Sequence, residues 1–335
     1  FRSPLIDENR IIVKNGLLEI NKSSNLGIQA LIEASGLKDK EINPGKVSFI
    51  LAPRINASGR VDSADDSLNL LLSQDYDEAK QLASHLNTHN RLRQKIGESV
   101  LKEAMDLIER SINFKDHHVI VLSKEDWHVG VLGIVASRIA EKFFRPTIII
   151  SLNNGMGKGS GRSIAGFHLF DALLECKKHL KEFGGHSHAV GLNIETKNLD
   201  NFILDLNNIA KQRIELDDLM PVLQIDAQLP LVFLNQRLAE DIQRLEPFGM
   251  GNPKPVFCSH NLTVKSQPSI LGRDTIKFWV TDGECTYEAI GFGLKDLAPY
   301  IDPSRKLDLA YSLSWDNWQD ANSLLLAIKD LKVVS

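Results

Sequence analysis

The chain has 335 residues, 43% of them hydrophobic and 24% charged, with a formal net charge of −4; these are ordinary globular proportions with room for two or three domains. No apolar run reaches the roughly 18 residues of a membrane-spanning helix, and no basic stretch followed by an apolar core marks a signal peptide at the start. Cys176, Cys258 and Cys285 are scattered and form no CxxC pair, which excludes a disulfide framework or zinc ribbon and points to a reducing, cytoplasmic setting.

The chain begins at Phe1 rather than Met, so an excerpt or a processed product is expected. From Pro221 onward there are 11 basic against 14 acidic residues. A nucleic-acid site must therefore be a local patch rather than a global field.

Residues 1–75 read as short helices and loops. Within them Pro53-Arg54-Ile55-Asn56-Ala57-Ser58-Gly59-Arg60 reads as a polar loop whose arginines could present forks to phosphates, or as a solvated connector. Residues 76–113 hold one long helix: apolar residues recur at three- and four-residue steps from Ala79 to Ile108 with no proline between them. Its middle carries His85 and His89 four apart, a spacing that suits a metal pair or simply exposed polar residues.

Residues 114–220 alternate strand and helix. Strands are expected at 118–122, 147–151 and 189–194, and helices at 130–144, 167–183 and 199–216. After Pro221 short strands and turn signals suggest five or six strands of a small barrel over 221–335. Its aromatics Phe278, Trp279, Tyr287, Phe292, Trp315 and Trp318 could stack bases or fill the core.

The segment Gly155-Met156-Gly157-Lys158-Gly159-Ser160-Gly161-Arg162-Ser163 carries the most chemistry. In an extended chain it puts Lys158, Ser160 and Arg162 on one face and glycine on the other, where a backbone or ligand could come close. A point charge, a hydroxyl and a planar fork suit a phosphodiester. No Gly-Lys-Ser/Thr ending makes it a Walker A loop.

Trp127-His128-Val129-Gly130 opens a helix. His128 and the free amides favour an anion there, Arg138 follows on that helix, and Trp127 could stack a base or belong to the core. Gly184-Gly185-His186 precedes a strand and leaves His186 able to face a ligand. His186 and His188 have no carboxylate or cysteine at metal-site spacing. Asp116-His117-His118 leads into a strand with no Asp-x-Asp before it, and reads as coincidence rather than a metal motif.

Five motifs in this order form a specific combination: Pro53–Arg60, Trp127–Val135, Lys158–Ser163, Phe183–His186 and Leu245-Glu246-Pro247-Phe248-Gly249-Met250-Gly251-Asn252-Pro253. Over essentially its whole length the chain resembles the RecJ family of single-stranded-DNA-specific 5′→3′ exonucleases in the DHH superfamily. The resemblance implies α/β plus β architecture: a long connecting helix, a DHHA1-type α/β domain and an OB-fold. It implies that Ser160, Arg162, His186 and Lys158 hold terminal phosphates, with Arg54, Asn56, Arg60, His128 and Arg138 on the DNA backbone.

It also implies that the Mn²⁺ or Mg²⁺ site belongs to a DHH domain upstream of Pro4–Arg10. No catalytic residue is then expected in these 335, and the chain alone is expected to be inactive. The implied partners are single-stranded DNA, single-strand-binding protein and recombination factors, in DNA repair and recombination. A non-catalytic single-strand-binding scaffold, or a phosphodiesterase for short oligonucleotides or cyclic dinucleotides, are the other readings.

Overall fold

The computed structural model describes residues 3–61, 64–315 and 323–334, with the side chains of 58, 60 and 61 outside that description. Its first third is helical: α1 (Asp7–Asn21), α2 (Leu26–Ala34), α3 (Pro44–Lys46), a π-turn (Val47–Leu51), α4 (Ala52–Val61), α5 (Asp65–Leu72) and α6 (Tyr76–Ser111). Residues 53–60, expected to form a loop, are helical in α4. Proline lacks the N–H that an α-helical ladder needs, and its ring crowds the carbonyl four residues back. The wide turn just before Pro53, with the Ala52 amide donating to the Val47 carbonyl, opens the ladder where that bond is missing.

Helix α6 starts at Asp75, whose side chain accepts from the Glu78 amide at 2.9 Å. It buries Ala79, Ala83, Leu86, Asn90, Gly97, Val100, Ala104 and Ile108 along one stripe. Its 36 residues span about 54 Å at helical rise.

The α/β region contains β1 (Ile120–Glu125), α7 (Val129–Phe143), β2 (Thr147–Asn153), β3 (Met156–Arg162), α8 (Leu169–Glu175), β4 (Leu180–His186), β5 (Ala189–Glu195) and α9 (Leu199–Arg213). The sheet order is β1-β2-β3-β5-β4, with only β1 and β2 parallel. The helix expected over 167–183 ends at Glu175. A short 3-10 turn (Lys177–His179) leads into β4, so Gly184-Gly185-His186, which precedes β5 as expected, also ends a strand of its own. Two adjacent glycines weaken a helix, whereas β5 offers them a ladder.

Alternate residues of the sheet feed two cores. Val119, Val121, Ile148, Ile150, Val190 and Leu192 pack with α8 and α9, while Ile120, Leu122 and Ile149 pack with α6 and α7.

The remaining strands are β6 (Ala227–Gln228), β7 (Phe257–Val264), β8 (Ser269–Leu271), β9 (Thr275–Thr281), β10 (Thr286–Gly291), β11 (Lys306–Trp315) and β12 (Leu324–Val334), with helix α10 (Gln236–Gln243) between β6 and β7. The order β7-β11-β12-β10-β9 closes through β7–β9 pairing into a barrel. Its centre holds Phe278, Leu309, Leu326 and Tyr311, whose hydroxyl is pushed up to about 12 by burial. Phe278 is therefore core. Trp279 and Phe292 are exposed, Tyr287 donates to the Leu234 carbonyl, Trp315 packs against the core, and Trp318 lies outside the described residues.

Two compact units result, and neither is one continuous run of chain. The first takes 1–22, 42–44 and 223–335, and the second takes 23–41 and 45–222. In the first unit the Leu245–Pro253 motif receives the opening segment. Leu5 is 1% exposed, its amide donates to the Met250 carbonyl at 2.6 Å, and a Cβ at Gly249 would collide with its side chain at 2.7 Å. Arg10 Nη2 donates to the Leu245 carbonyl at 2.8 Å and to the Arg244 carbonyl at 3.3 Å.

Candidate nucleic-acid interface

The register of β3 sets the site. Lys158, Ser160 and Arg162 pair with Asn193, Gly191 and Ala189 of β5, which pair in turn with Glu182, Gly184 and His186 of β4. Directly paired residues share a face. Arg162, Ser160 and Lys158 therefore line one side of a strip whose floor is Gly191 and Gly184 and whose far side carries His186. Arg162 and His186 are two strands apart, roughly 10 Å at inter-strand spacing. Nothing lies within 4 Å of where a Cβ would stand on Gly184, and at Gly191 only a carbonyl oxygen at 4.0 Å. The floor is open backbone.

The β3 glycines do something other than expected. Gly157, Gly159 and Gly161 are buried on the opposite face, and a Cβ there would meet Ile150, Leu192 and Val190 side chains at 2.7–2.9 Å. They make room for the core, not for a ligand. The glycine that admits the site is Gly133 in α7: a Cβ there would lie 2.8 Å from Arg162 Nη2 and 3.0 Å from Ser160 Oγ. Its absence lets both side chains sit against the helix.

Arg162 is held in place, Nη1 donating to the Gly161 carbonyl at 2.7 Å and to Ser160 Oγ at 3.3 Å. The His188 amide donates to His186 Nδ1 at 3.3 Å, and the Gly130 amide to His128 Nδ1 at 3.1 Å. A neutral ring so engaged carries its proton on Nε2, so each histidine presents a donor outward. Gly185, at φ +140°, needs to be glycine, because a Cβ would stand 2.2 Å from the Ala189 carbonyl oxygen. It turns the strand so that His186 can be placed. Lys158 is exposed and borders a cavity of about 380 Å³ with Asp126, Ser151 and Asn193.

The other expected contacts are more dispersed. His128 caps α7, and Arg138 is exposed further along it. Trp127 is not a stacking platform: it is 4% exposed, and its Nε1 donates to Glu103 at 2.9 Å. Helix α4 lies against α6 and touches α7. Within it Arg54 is half-buried, donating to Asn87 Oδ1 at 3.1 Å and the Ile50 carbonyl at 2.6 Å. Burial, then neighbouring Arg91, lowers its pKa. Asn56 is exposed, and the Arg60 side chain lies outside the described residues. Sequence reading missed Gly191; the pairing of β3 with β5 reveals it.

Residues 116–212 match the family described as the DHHA1 domain, and residues 225–330 match the RecJ OB domain. The single-stranded-DNA-specific exonuclease RecJ of Bacillus subtilis strain 168 is 34% identical over 98% of this chain and 42% of its own length. That of Escherichia coli K12 is 30% identical over 98% of this chain and 58% of its own. A crystal structure of Thermus thermophilus RecJ in complex with Mg²⁺ superposes with a TM-score of 0.83 at 30% identity, covering 98% of this chain and 50% of that one.

The chain belongs to the RecJ family. It spans about half the length of these RecJ relatives. It has the expected architecture, a DHHA1 α/β domain and an OB domain.

RecJ structures are described with Mg²⁺ and with Mn²⁺. The residues here do not fit such a centre. Among the described residues no three His, Cys, Asp or Glu side chains converge on a metal position. Asp116 accepts from the Asn113 side chain at 2.7 Å, and His117 Nδ1 meets the Asn113 carbonyl at 3.0 Å. Both are engaged in one local turn. Among the described residues no helix is long and apolar enough to cross a membrane.

Proposed function

We propose that this chain is the substrate-binding part of a metal-dependent 5′→3′ single-stranded-DNA exonuclease acting in DNA repair and recombination. The observation that carries the reading is the strip itself: Lys158, Ser160 and Arg162 on one side, a bare Gly191–Gly184 floor, and His186 opposite. Such a strip admits one phosphodiester backbone close to the sheet and offers it charged and neutral donors. Residues 114–220 serve as the substrate-binding domain, 76–113 as the connecting helix, 1–75 as the flank of the catalytic side, and 221–335 as the OB-type guide for incoming strand. Arg54, Asn56, Arg60, His128 and Arg138 contact the backbone further along its path. Hydrolysis requires Mn²⁺ or Mg²⁺ held by residues other than these, and single-strand-binding protein and recombination factors deliver the substrate.

Arg162→Ala tests the reading. The variant is expected to lose roughly 1–3 kcal/mol of affinity for a 5′-phosphorylated single strand, with a salt dependence shallower by about one counterion. Equal affinity of both proteins at several salt concentrations would remove Arg162 from the site. Robust Mn²⁺-dependent nuclease activity from these residues alone would overturn the assignment of the metals elsewhere.

A further inference from the structure

A second group of chemistry-bearing side chains lies away from the strip, where α5 meets the first half of α6. His85 and His89 stand one turn apart on α6, with rings at 83° and centroids 4.2 Å apart. Their Nε2 atoms face each other at 2.8 Å. On its other side His85 Nδ1 lies 2.7 Å from Asp66 Oδ2 of α5.

The carboxylate fixes the chemistry of the pair. An ionised Asp66 accepts only, so His85 Nδ1 carries the proton and Nε2 presents a lone pair toward His89. At this distance the Nε2–H of a neutral His89 donates to His85 Nε2, and a metal ion that displaces that proton meets a lone pair from each ring. His85 is exposed and His89 half-buried, so the pair can be reached from solvent. Asp77 and Gln81 continue the same stripe of α6 at four-residue steps and border an open depression with His85.

We infer that His85 and His89 form a bidentate site for a late first-row transition ion, with Asp66 as the carboxylate that orients His85. Imidazole nitrogens bind such ions at about 2.0–2.1 Å. Two of them at a right angle are then about 2.9 Å apart, and at a tetrahedral angle about 3.4 Å. The observed 2.8 Å is a hydrogen-bond separation, and it must open by only about 0.1 Å for a right angle but by about 0.6 Å for a tetrahedral one. The site therefore favours Cu²⁺ and Ni²⁺ over tetrahedral Zn²⁺, and it disfavours the hard Mg²⁺ and Mn²⁺, which prefer oxygen. Water fills the remaining positions. Because Asp66 belongs to α5 and both ligands to α6, the ion ties the two helices through one hydrogen-bonded ring.

Titration of the chain with Cu²⁺ and Ni²⁺, followed by calorimetry and by nitrogen splitting in the Cu²⁺ paramagnetic resonance spectrum, tests the site. Tight binding of one equivalent with two-nitrogen coordination is expected. His89→Gln should weaken it at least tenfold and leave one fewer nitrogen, and Asp66→Asn should weaken it about ten- to a hundredfold with both nitrogens retained. His186→Gln serves as the control and should leave this equivalent intact. Binding unchanged in the folded His85→Gln/His89→Gln double variant, judged by circular dichroism, overturns the inference, as does the absence of saturable binding.

Discussion

Glu195, at the end of β5, lies between two ammonium groups, Lys181 Nζ at 2.7 Å and Lys197 Nζ at 2.8 Å. Hydrogen bonds from Lys181 first and Lys197 second hold its carboxyl at about 2, against an ordinary 4.5. A depressed carboxylate favours the folded state above its unfolded pKa, and that contribution disappears as pH falls through the folded one. Glu195→Gln should therefore lower stability at neutral pH and flatten its decline between pH 4.5 and about 2; acid unfolding followed by circular dichroism reads both. At this scale the sequence was a partial guide. Strand periodicity alone placed Lys158, Ser160 and Arg162 together. It could not decide whether Trp127 stacks or packs, because that depends on Glu103, 24 residues earlier and on another helix.

The alternation in β3 serves two faces, and the difference is measurable. Gly161→Ala introduces a Cβ 2.7 Å from Val190 and 3.0 Å from Leu169. Overpacking of that kind costs roughly 1–3 kcal/mol, more than the roughly 0.5–1 kcal/mol a side chain returns by restricting the unfolded strand. Gly184→Ala meets nothing within 4 Å. Denaturant unfolding should show the first variant destabilised and the second not, while single-strand affinity falls in the second because a methyl group rises from the floor. Both glycines look alike in sequence, since what separates them is the side chains across the neighbouring strands. The same limit explains the two elements read wrongly. Residues 53–60 have a loop-like composition, but the π-turn before Pro53 carries the helix through. Leu180 and Phe183 continue the apolar spacing of α8, but β5 captures residues 180–183 into an edge strand.

Across the molecule, turn spacing made the barrel legible, and the sequence motifs made the family legible. The closing β7–β9 pair and the recruitment of 1–22 into the barrel's unit were not, because the first passes over β8 rather than joining consecutive strands and the second joins residues far apart in the chain. Leu5 shows how much depends on that recruitment. Leu5→Ala removes a side chain that is 1% exposed, a change worth about 2–5 kcal/mol in a packed site. Hydrogen exchange should register the loss at the Leu5 amide and in the Leu245–Pro253 turn, with β3 and β5 protected as before. The docking of Leu5 on Met250 also sets an order of events during synthesis. The intervening residues, which include the whole second unit, take on the order of 10–50 s to translate at cellular rates. Helix α1, with Ile11 and Ile12 more than 60% exposed even in the finished fold, is made before the second unit and its partner after it, so the first unit closes only after the second has had time to fold.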